Sequence, residues 1–376
     1  MKYLIVTGDL VKTGGMDRAN FALADYISRQ GHQIYLVAHR VDPELSTRDN
    51  VIWHPVPKPL NSYLLGSPLL DWYGRFYAQK ITKQGGKVLV NGGNCLFAGI
   101  NWVHYVHAVY NSDIYTNSLY RLRGGISHWA SLDSERKSIQ TSKVVIANSE
   151  KTKQDLQLNL NIPAQKIQTI YYGNDPTVFY PPTPDQKKTI KQELGWDIDK
   201  QAVVFIGALG DRRKGFDTLF AVWQQLCANP EWDADLKVIG RGAELDTWKA
   251  KAKAVGLGDR VDFLGFRQDV PNLLRAADCL VAPTRYEAYG LGVQEAICCG
   301  LPAIVSSNAG IAERYSPNLQ ELLLSNPEDQ QALARCLWSW RKNIPKYCHL
   351  IQSFSQELRL YSWDNMAEKI LYTFNY

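Results

Sequence analysis

TRYEAYGLGVQEAICCGLPAIVSSNAGIAE, Thr284 to Glu313, is the segment around which the rest of this 376-residue chain is arranged. It sets two carboxylates, Glu287 and Glu295, eight positions apart, with Tyr289 and then Gly290-Leu291-Gly292 between them. An apolar run follows and ends at Cys299. Gly300 followed by Pro302 predicts a helix stop, and Ala303–Ser306 predicts a short buried strand. A glycine-bearing loop that feeds a helix leaves unpaired N–H groups at the positive end of the helix dipole, which is a seat for phosphate. Glu287 before the helix and Glu295 in its first turn are then available to sugar hydroxyls on the same ligand. The same two acids also fit a solvated loop residue and a complement to the dipole. Their spacing alone does not choose.

Upstream, the same strand–loop–helix unit recurs. Val203–Ile206 is a buried strand that runs into Gly207-Ala208-Leu209-Gly210-Asp211-Arg212-Arg213-Lys214-Gly215. Three consecutive cations in a glycine loop at a strand's carboxyl end suit a diphosphate, because Arg holds phosphate oxygens bidentately and Lys supplies a point charge. A solvated charge cluster is the plain alternative. Further pairs follow at Leu236–Ile239, Ala243–Ala254, Val261–Leu264 and Cys279–Ala282, with strand-end loops at Gly240-Arg241-Gly242 and Gly265-Phe266-Arg267.

The first half of the chain has the same rhythm. Strand Lys2–Thr7 leads through Gly8-Asp9 and Thr13-Gly14-Gly15 to a helix over Asp17–Gln30 and a strand at Ile34–Ala38. The full G-x-G-x-x-G fingerprint is missing, so a dinucleotide reading is weak. Strands at Lys87–Val90, Trp102–Val106 and Lys143–Ala147 follow, with a helical stretch over Leu119–Thr141. They end in polar loops, Asn91-Gly92-Gly93-Asn94 and the neighbourhood of His107, where ligands of parallel sheets bind. His104, inside its strand, reads as structural, and Ser149 as a helix N-cap. Trp102, Tyr105, Tyr110, Tyr115, Tyr120 and Trp129 crowd these loops, and no single one of them is assigned a role. Asp175–Asp185 holds four prolines and no periodicity, which predicts the interdomain linker. Tyr361–Tyr376 has helical spacing.

Composition narrows the classes. Length predicts two domains, and 45% hydrophobic with 21% charged residues is ordinary for a globular protein. No apolar run approaches the roughly 20 residues that span a bilayer. The opening MKYLIVTGD reads as a strand rather than a leader, so a cytoplasmic location is expected. Seven scattered cysteines give neither a disulfide framework nor zinc spacing, and no metal site is assigned. Residues 1–180 carry 19 Lys and Arg against 13 Asp and Glu, without dense basic blocks. That argues against a nucleic-acid binder and suits an anionic acceptor, peripheral contact with an acidic membrane, or simply a solvated surface.

The pattern E-x7-E with its internal G-L-G, then E-A-x-x-x-G-x-P, resembles the donor-site signature of the retaining, GT-B fold glycosyltransferases known as family 4. The resemblance runs over nearly the whole chain and is strongest over Val203–Glu313. It implies an α/β protein of two Rossmann-like, doubly wound domains facing a central cleft: 1–178 for the acceptor, 179–360 for the nucleotide sugar, and 361–376 as a helix crossing back to the first. It implies that Glu287 contacts the donor sugar and Glu295 the ribose. Gly15 would face the diphosphate and acceptor, His107 the donor sugar, and the backbone at Phe266 and Arg267 the base. Lys214-Gly215 matches the family's Lys-Gly. Ala208 stands where many members carry Arg, and Arg213 is chosen over Arg212 to supply the missing charge. Donor contacts are further expected from Gly207, Tyr289, Gly290, Leu291 and Gly292. Tyr172-Gly173-Asn174-Asp175 resembles the family's boundary segment with Gly and Asn reversed.

The expected reaction is retaining transfer of a sugar from a nucleotide-diphosphate donor to an acceptor hydroxyl, with UDP-sugar ahead of GDP-mannose. No metal or other cofactor is expected, since Lys214, Arg213 and the helix end at Leu291-Gly292 offset the leaving charge. The acceptor, a glycan, lipid or small natural product, is not specified by the sequence. A sugar phosphorylase on the same fold and a non-catalytic nucleotide-sugar-binding subunit remain alternatives.

Overall fold

Parallel strands sandwiched between helices must be buried on both faces, and the central strands of the two main sheets meet that demand. The computed structural model describes residues 1–109 and 132–374, so Tyr110, Tyr115, Tyr120, Trp129 and most of the stretch Leu119–Thr141 lie outside the described residues. Within the described residues the chain forms two compact units, one from 1–109, 132–173 and 362–374, the other from 174–361. The break thus falls between Gly173 and Asn174, and the last helix, Trp363–Thr373, belongs to the first unit.

In the first unit the strands in chain order are β1 (Lys2–Val6), β2 (Asp9–Leu10), β3 (Gln33–Ala38), β4 (Arg40–Val41), β5 (Val51–Pro55), β6 (Lys87–Asn91), β7 (Ile100–Val103), β8 (Val144–Ala147) and β9 (Ile167–Thr169). Seven of them make one parallel sheet in the order β5-β3-β1-β6-β7-β8-β9, while β2 and β4 pair separately. Strand β7 ends at Val103, so His104 lies just beyond it rather than inside it. Leu4, Val6, Val37, Val88 and Val90 form a core with Leu70, Ala78 and Ile81 of the helix Tyr63–Lys83. Trp102 is fully buried and belongs to the core.

Beneath the strand ends runs a polar chain. Asn20 donates to Thr7 at 3.1 Å, and Asn91 donates to Asn20 at 3.0 Å and to His104 Nε2 at 2.6 Å. With Nε2 accepting, the ring proton sits on Nδ1, which meets the Tyr172 hydroxyl at 2.5 Å. Burial pushes the His104 imidazole down to about 3, so it stays neutral. Ser149 caps the helix Glu150–Leu160, its side chain accepting from Thr152 N–H. The last helix is tied down by Arg29–Asp364 at 2.5 Å, by the Lys87 ammonium on the Phe374 carbonyl at 2.8 Å, and by Thr373 on Gln168 at 2.9 Å.

The second unit opens with the helix Pro184–Glu193, fixed by a Thr183/Gln186 capping box, so the proline-rich linker ends earlier than its composition suggests. Its strands are β10 (Ala202–Ile206), β11 (Asp235–Ile239), β12 (Val261–Gly265), β13 (Cys279–Ala282), β14 (Ala303–Ser306) and β15 (Leu323–Leu324). They form a second parallel sheet in the order β12-β11-β10-β13-β14-β15. Cys298 and Cys299 pack in its core. Both sheets reverse direction of growth once, between β1 and β6 and between β10 and β13. Such a switch point is where parallel α/β sheets bind ligands, outside the carboxyl ends of the strands.

Candidate active site

At the second switch point, β10 and β13 are direct neighbours with Val203 opposite Cys279, so the loops leaving their carboxyl ends must meet. Gly215 lets them meet closely. It has φ 70°, and a Cβ there would lie 1.9 Å from the Pro283 carbonyl oxygen. The backbone N–H of Arg285 then donates to the Arg213 carbonyl at 2.8 Å. Arg285 braces the junction further: its guanidinium bonds Asp217 at 2.8 and 2.9 Å, Glu328 at 2.7 Å, and the Arg212 carbonyl. This brace was not legible beforehand, because Arg285 lies inside the key segment without matching any motif position.

The juxtaposition puts the Lys214 ammonium 2.5 Å from Glu287 Oε2, both side chains about one-fifth exposed. Burial alone would push the Glu287 carboxyl up. The charges of Lys214 and Arg213 and the Lys214 hydrogen bond outweigh it and hold the carboxyl below its ordinary value, so Glu287 is ionised at neutral pH. Of the two arginines, Arg213 is the one whose charge reaches Glu287. It is 19% exposed and held by Asp211, whose carboxylate accepts from Arg213 Nε at 3.1 Å and from its N–H at 3.0 Å. Arg212 is 58% exposed and faces Asp217. Gly207 makes room for the cation: a Cβ there would stand 3.2 Å from Lys214 Cγ.

Immediately beyond Glu287, Gly290 takes φ 105° and starts the helix Leu291–Cys298. Val293 and Gln294 return their N–H groups to the Gly290 carbonyl at 3.0 and 3.1 Å. Among the described residues no acceptor meets the N–H groups of Leu291 and Gly292, as the end of a helix dictates. Glu295 is the fifth residue of this helix rather than part of its first turn, and it is 7% exposed. Tyr289 is 1% exposed, and its hydroxyl bonds Gln294.

Phe266 and Arg267 follow β12, the edge strand. The Phe266 ring is 54% exposed, with the Arg241 guanidinium 5.1 Å from its centroid. Arg267 grips Asp269 at 2.7 and 2.5 Å. A separate concavity of about 360 Å3, lined by Pro181, Lys187, Arg275, Asp278 and Cys299 among others, opens at the amino ends of β13 and β14. It lies at the opposite ends of the strands from Lys214 and Glu287 and carries a structural ion cluster in which Asp278 holds Lys187 and Lys191.

The remaining sequence candidates belong to the first unit. Gly15 is the first residue of the helix Gly15–Arg29, after Gly14 at φ 82°. His107 is 46% exposed, with Nδ1 2.8 Å from Glu135 and its backbone N–H donating to the same carboxylate at 3.0 and 3.1 Å. Glu135 itself is 1% exposed. A buried carboxylate on Nδ1 fixes the tautomer and turns Nε2 outward as an acceptor. Glu135 was missed because it lies in a polar run without apolar periodicity.

Two family models together account for most of the chain. Glycosyltransferase Family 4 matches residues 13–178, and Glycosyl transferases group 1 matches residues 186–353. An uncharacterised glycosyltransferase of Methanocaldococcus jannaschii is 25% identical over 98% of this chain and 96% of its own length. The mannosylfructose-phosphate synthase of Agrobacterium fabrum is 28% identical over 54% of this chain and 46% of its length. A GDP-mannose-dependent phosphatidylinositol monomannoside mannosyltransferase of Corynebacterium glutamicum is 30% identical over 48% and 55%. Among solved structures, WaaG, a glycosyltransferase involved in lipopolysaccharide biosynthesis, has the same fold at TM-score 0.79 and 20% identity, over 98% of this chain and 99% of its own. Anabaena Alr3699/HepE in complex with UDP-glucose does so at TM-score 0.73 and 18% identity, over 100% and 99%. With two Rossmann-like units and both models matched in order, the chain belongs to the group 1 glycosyltransferases of GT-B fold.

Proposed function

We propose that this glycosyltransferase moves a hexosyl group from a UDP-sugar to an acceptor hydroxyl with retention of anomeric configuration and without a metal ion. The observation that carries the reading is the Lys214–Glu287 pair at 2.5 Å, flanked by Arg213 and by the helix end at Gly290. Lys214, Arg213 and the N–H groups of Leu291 and Gly292 are the positive elements for a diphosphate, and the ionised Glu287 accepts hydrogen bonds from the sugar hydroxyls. Phe266 and Arg267 are assigned to the base and Glu295 to the ribose. His107, its Nε2 free to accept, is assigned to a donor-sugar hydroxyl, and Gly15 to close approach of backbone to the ligand.

In the reaction the bond between the anomeric carbon and the diphosphate oxygen breaks while that carbon bonds the acceptor oxygen. The acceptor's proton passes to the leaving phosphate on the same face, with Glu287 orienting the sugar rather than attacking it. Charges preset where the diphosphate becomes more negative act mainly on the transition state, about 3–4 kcal/mol for each donor. The UDP complex of the Anabaena fold relative favours uridine. A GDP-mannose reading is favoured by the mannosyltransferase relative named above. Incubating the protein with UDP-sugars and GDP-mannose in chelator, and reading the product's anomeric proton by NMR, tests all three parts. An inverted linkage, or turnover only after magnesium is restored, would contradict them.

A further inference from the structure

The helix Tyr63–Lys83 leaves several large apolar side chains exposed to solvent. Its buried positions are Gly66, Leu70, Gly74, Ala78 and Ile81, mostly small. A Cβ on Gly74 would lie 2.8 Å from both Cys95 Sγ and Val6 Cγ1, and one on Gly66 2.9 Å from His39 Cε1. At those glycines the backbone lies directly on its neighbours; Leu69, Tyr73 and Tyr77 pack partly buried against the same core, while other bulky side chains stand on the far side. Leu65, Trp72 and Phe76 are 45%, 60% and 56% exposed. At helical spacing they fall on one stripe that continues to Lys80 and Lys83. Leu60, Tyr63 and Leu64 prolong the apolar surface at the amino end, Leu60 being 91% exposed at φ 50°. Single exposed apolar residues need no explanation, but a contiguous patch of this kind marks a contact surface.

Charge identifies the partner. The helix carries Arg75, Lys80 and Lys83, all exposed. Its one acid, Asp71, is taken up by Arg75 at 2.9 Å and by the Leu96 N–H at 2.8 Å. Lys58 sits 3.9 Å over the Tyr63 ring at the other end. An apolar stripe bordered by the exposed cations Lys80 and Lys83 complements a surface that is anionic outside and apolar beneath, and no helix among the described residues is long and apolar enough to cross a membrane.

We propose that the helix Tyr63–Lys83 docks this protein in the plane of an anionic lipid bilayer. Leu60, Leu64, Leu65, Trp72 and Phe76 enter the boundary between headgroups and acyl chains, while Lys80 and Lys83 reach the lipid phosphates. This docking goes beyond the transfer reaction and does not depend on the identity of the donor.

The test is flotation of the full chain with vesicles of phosphatidylcholine alone and of phosphatidylcholine with phosphatidylglycerol. Wild type is expected to float with the anionic vesicles and to lose binding as salt is raised. Trp72→Ser/Phe76→Ser should weaken binding about tenfold or more, and Lys80→Glu/Lys83→Glu should remove the preference for anionic lipid. Both variants alter exposed positions, and an unchanged thermal midpoint with unchanged UDP affinity shows that the fold and donor site are intact. Wild type that ignores vesicles, or variants that bind as wild type does, overturns the proposal. So does a wild-type dimer in solution that Trp72→Ser/Phe76→Ser dissociates, since the patch would then cover a second copy. Loss of UDP binding in wild type contradicts the donor reading and leaves the vesicle result to stand by itself.

Discussion

Lys214 and Glu287 neutralise one another across the junction of their two loops, and the proposed diphosphate sugar would meet both. Removing the lysine should do more than remove a charge, because it leaves Glu287 with Arg213 alone to offset it beside the proposed leaving phosphates. Lys214→Ala is therefore expected to lower kcat about 100-fold or more, and wild-type turnover in that variant would contradict its role. The cations at Glu287 also set a pH dependence. Its folded-state carboxyl lies below the ordinary value, so its ionised form persists as pH falls through the usual carboxylate range near 4.3. The acid limb of kcat/KM assigned to it should lie below that range and move up in Arg213→Met, where one of the lowering charges is lost. An acid limb that stays in place in that variant would count against the assignment. Glu135, holding His107 from beneath, is a positioning residue, and its loss frees the ring to rotate. Glu135→Ala should cost kcat while UDP affinity is unchanged, and Glu135→Gln, which still accepts from Nδ1, should restore most of it.

Among the elements, how far the sequence could be read depended on whether burial wrote itself into local pattern. Cys279–Ala282 and Ala303–Ser306 are short apolar runs between turn residues, and the strands have those bounds. Helix Tyr63–Lys83 escaped because Gly66 and Pro68 read as breakers, although Gly66 serves close packing. Val51–Pro55 and Ile167–Thr169 are too short and too mixed to announce themselves as strands. At the candidate site, the motif residues were singled out in the sequence by type, as groups able to hold phosphates and hydroxyls. Arg285, Asp217 and Glu135 were not, since a brace or a buried partner is defined only by what the fold brings to it. The tight junction at Gly215 yields its own prediction. Gly215→Ala adds a Cβ in the left-handed region, against the Pro283 carbonyl, and should cost more than the roughly 1–2 kcal/mol of the backbone conformation alone. Chemical denaturation checks this, and an unchanged midpoint would mean that the two loops are not locked together.

At the level of the whole molecule, the first unit depends on a histidine that must stay neutral. The buried His104 lies near 3 against an ordinary 6.5. Between those values the unfolded chain binds a proton that the native chain refuses. Its contribution is complete above the unfolded value and is lost on acidification, by about 1.4 kcal/mol per pH unit, until the folded value is reached. Comparing denaturation near neutrality and at mildly acid pH should give a steeper loss for wild type than for His104→Gln, and equal slopes would contradict this. The alternation of strands and helices made the two sheets readable from sequence. The break at Gly173 was harder, because the proline-rich run beyond it folds into the second unit.

The central claim is that the Lys214–Glu287 junction receives a nucleoside diphosphate sugar. Calorimetric titration of wild type and Lys214→Ala with UDP and with GDP, in chelator, tests it most directly. The account predicts saturable UDP binding by wild type, weakened about tenfold or more in the variant, for the loss of a charge-assisted contact worth about 1.5–3 kcal/mol. Equal affinity in the two proteins, or no binding of either nucleotide by wild type, would contradict it.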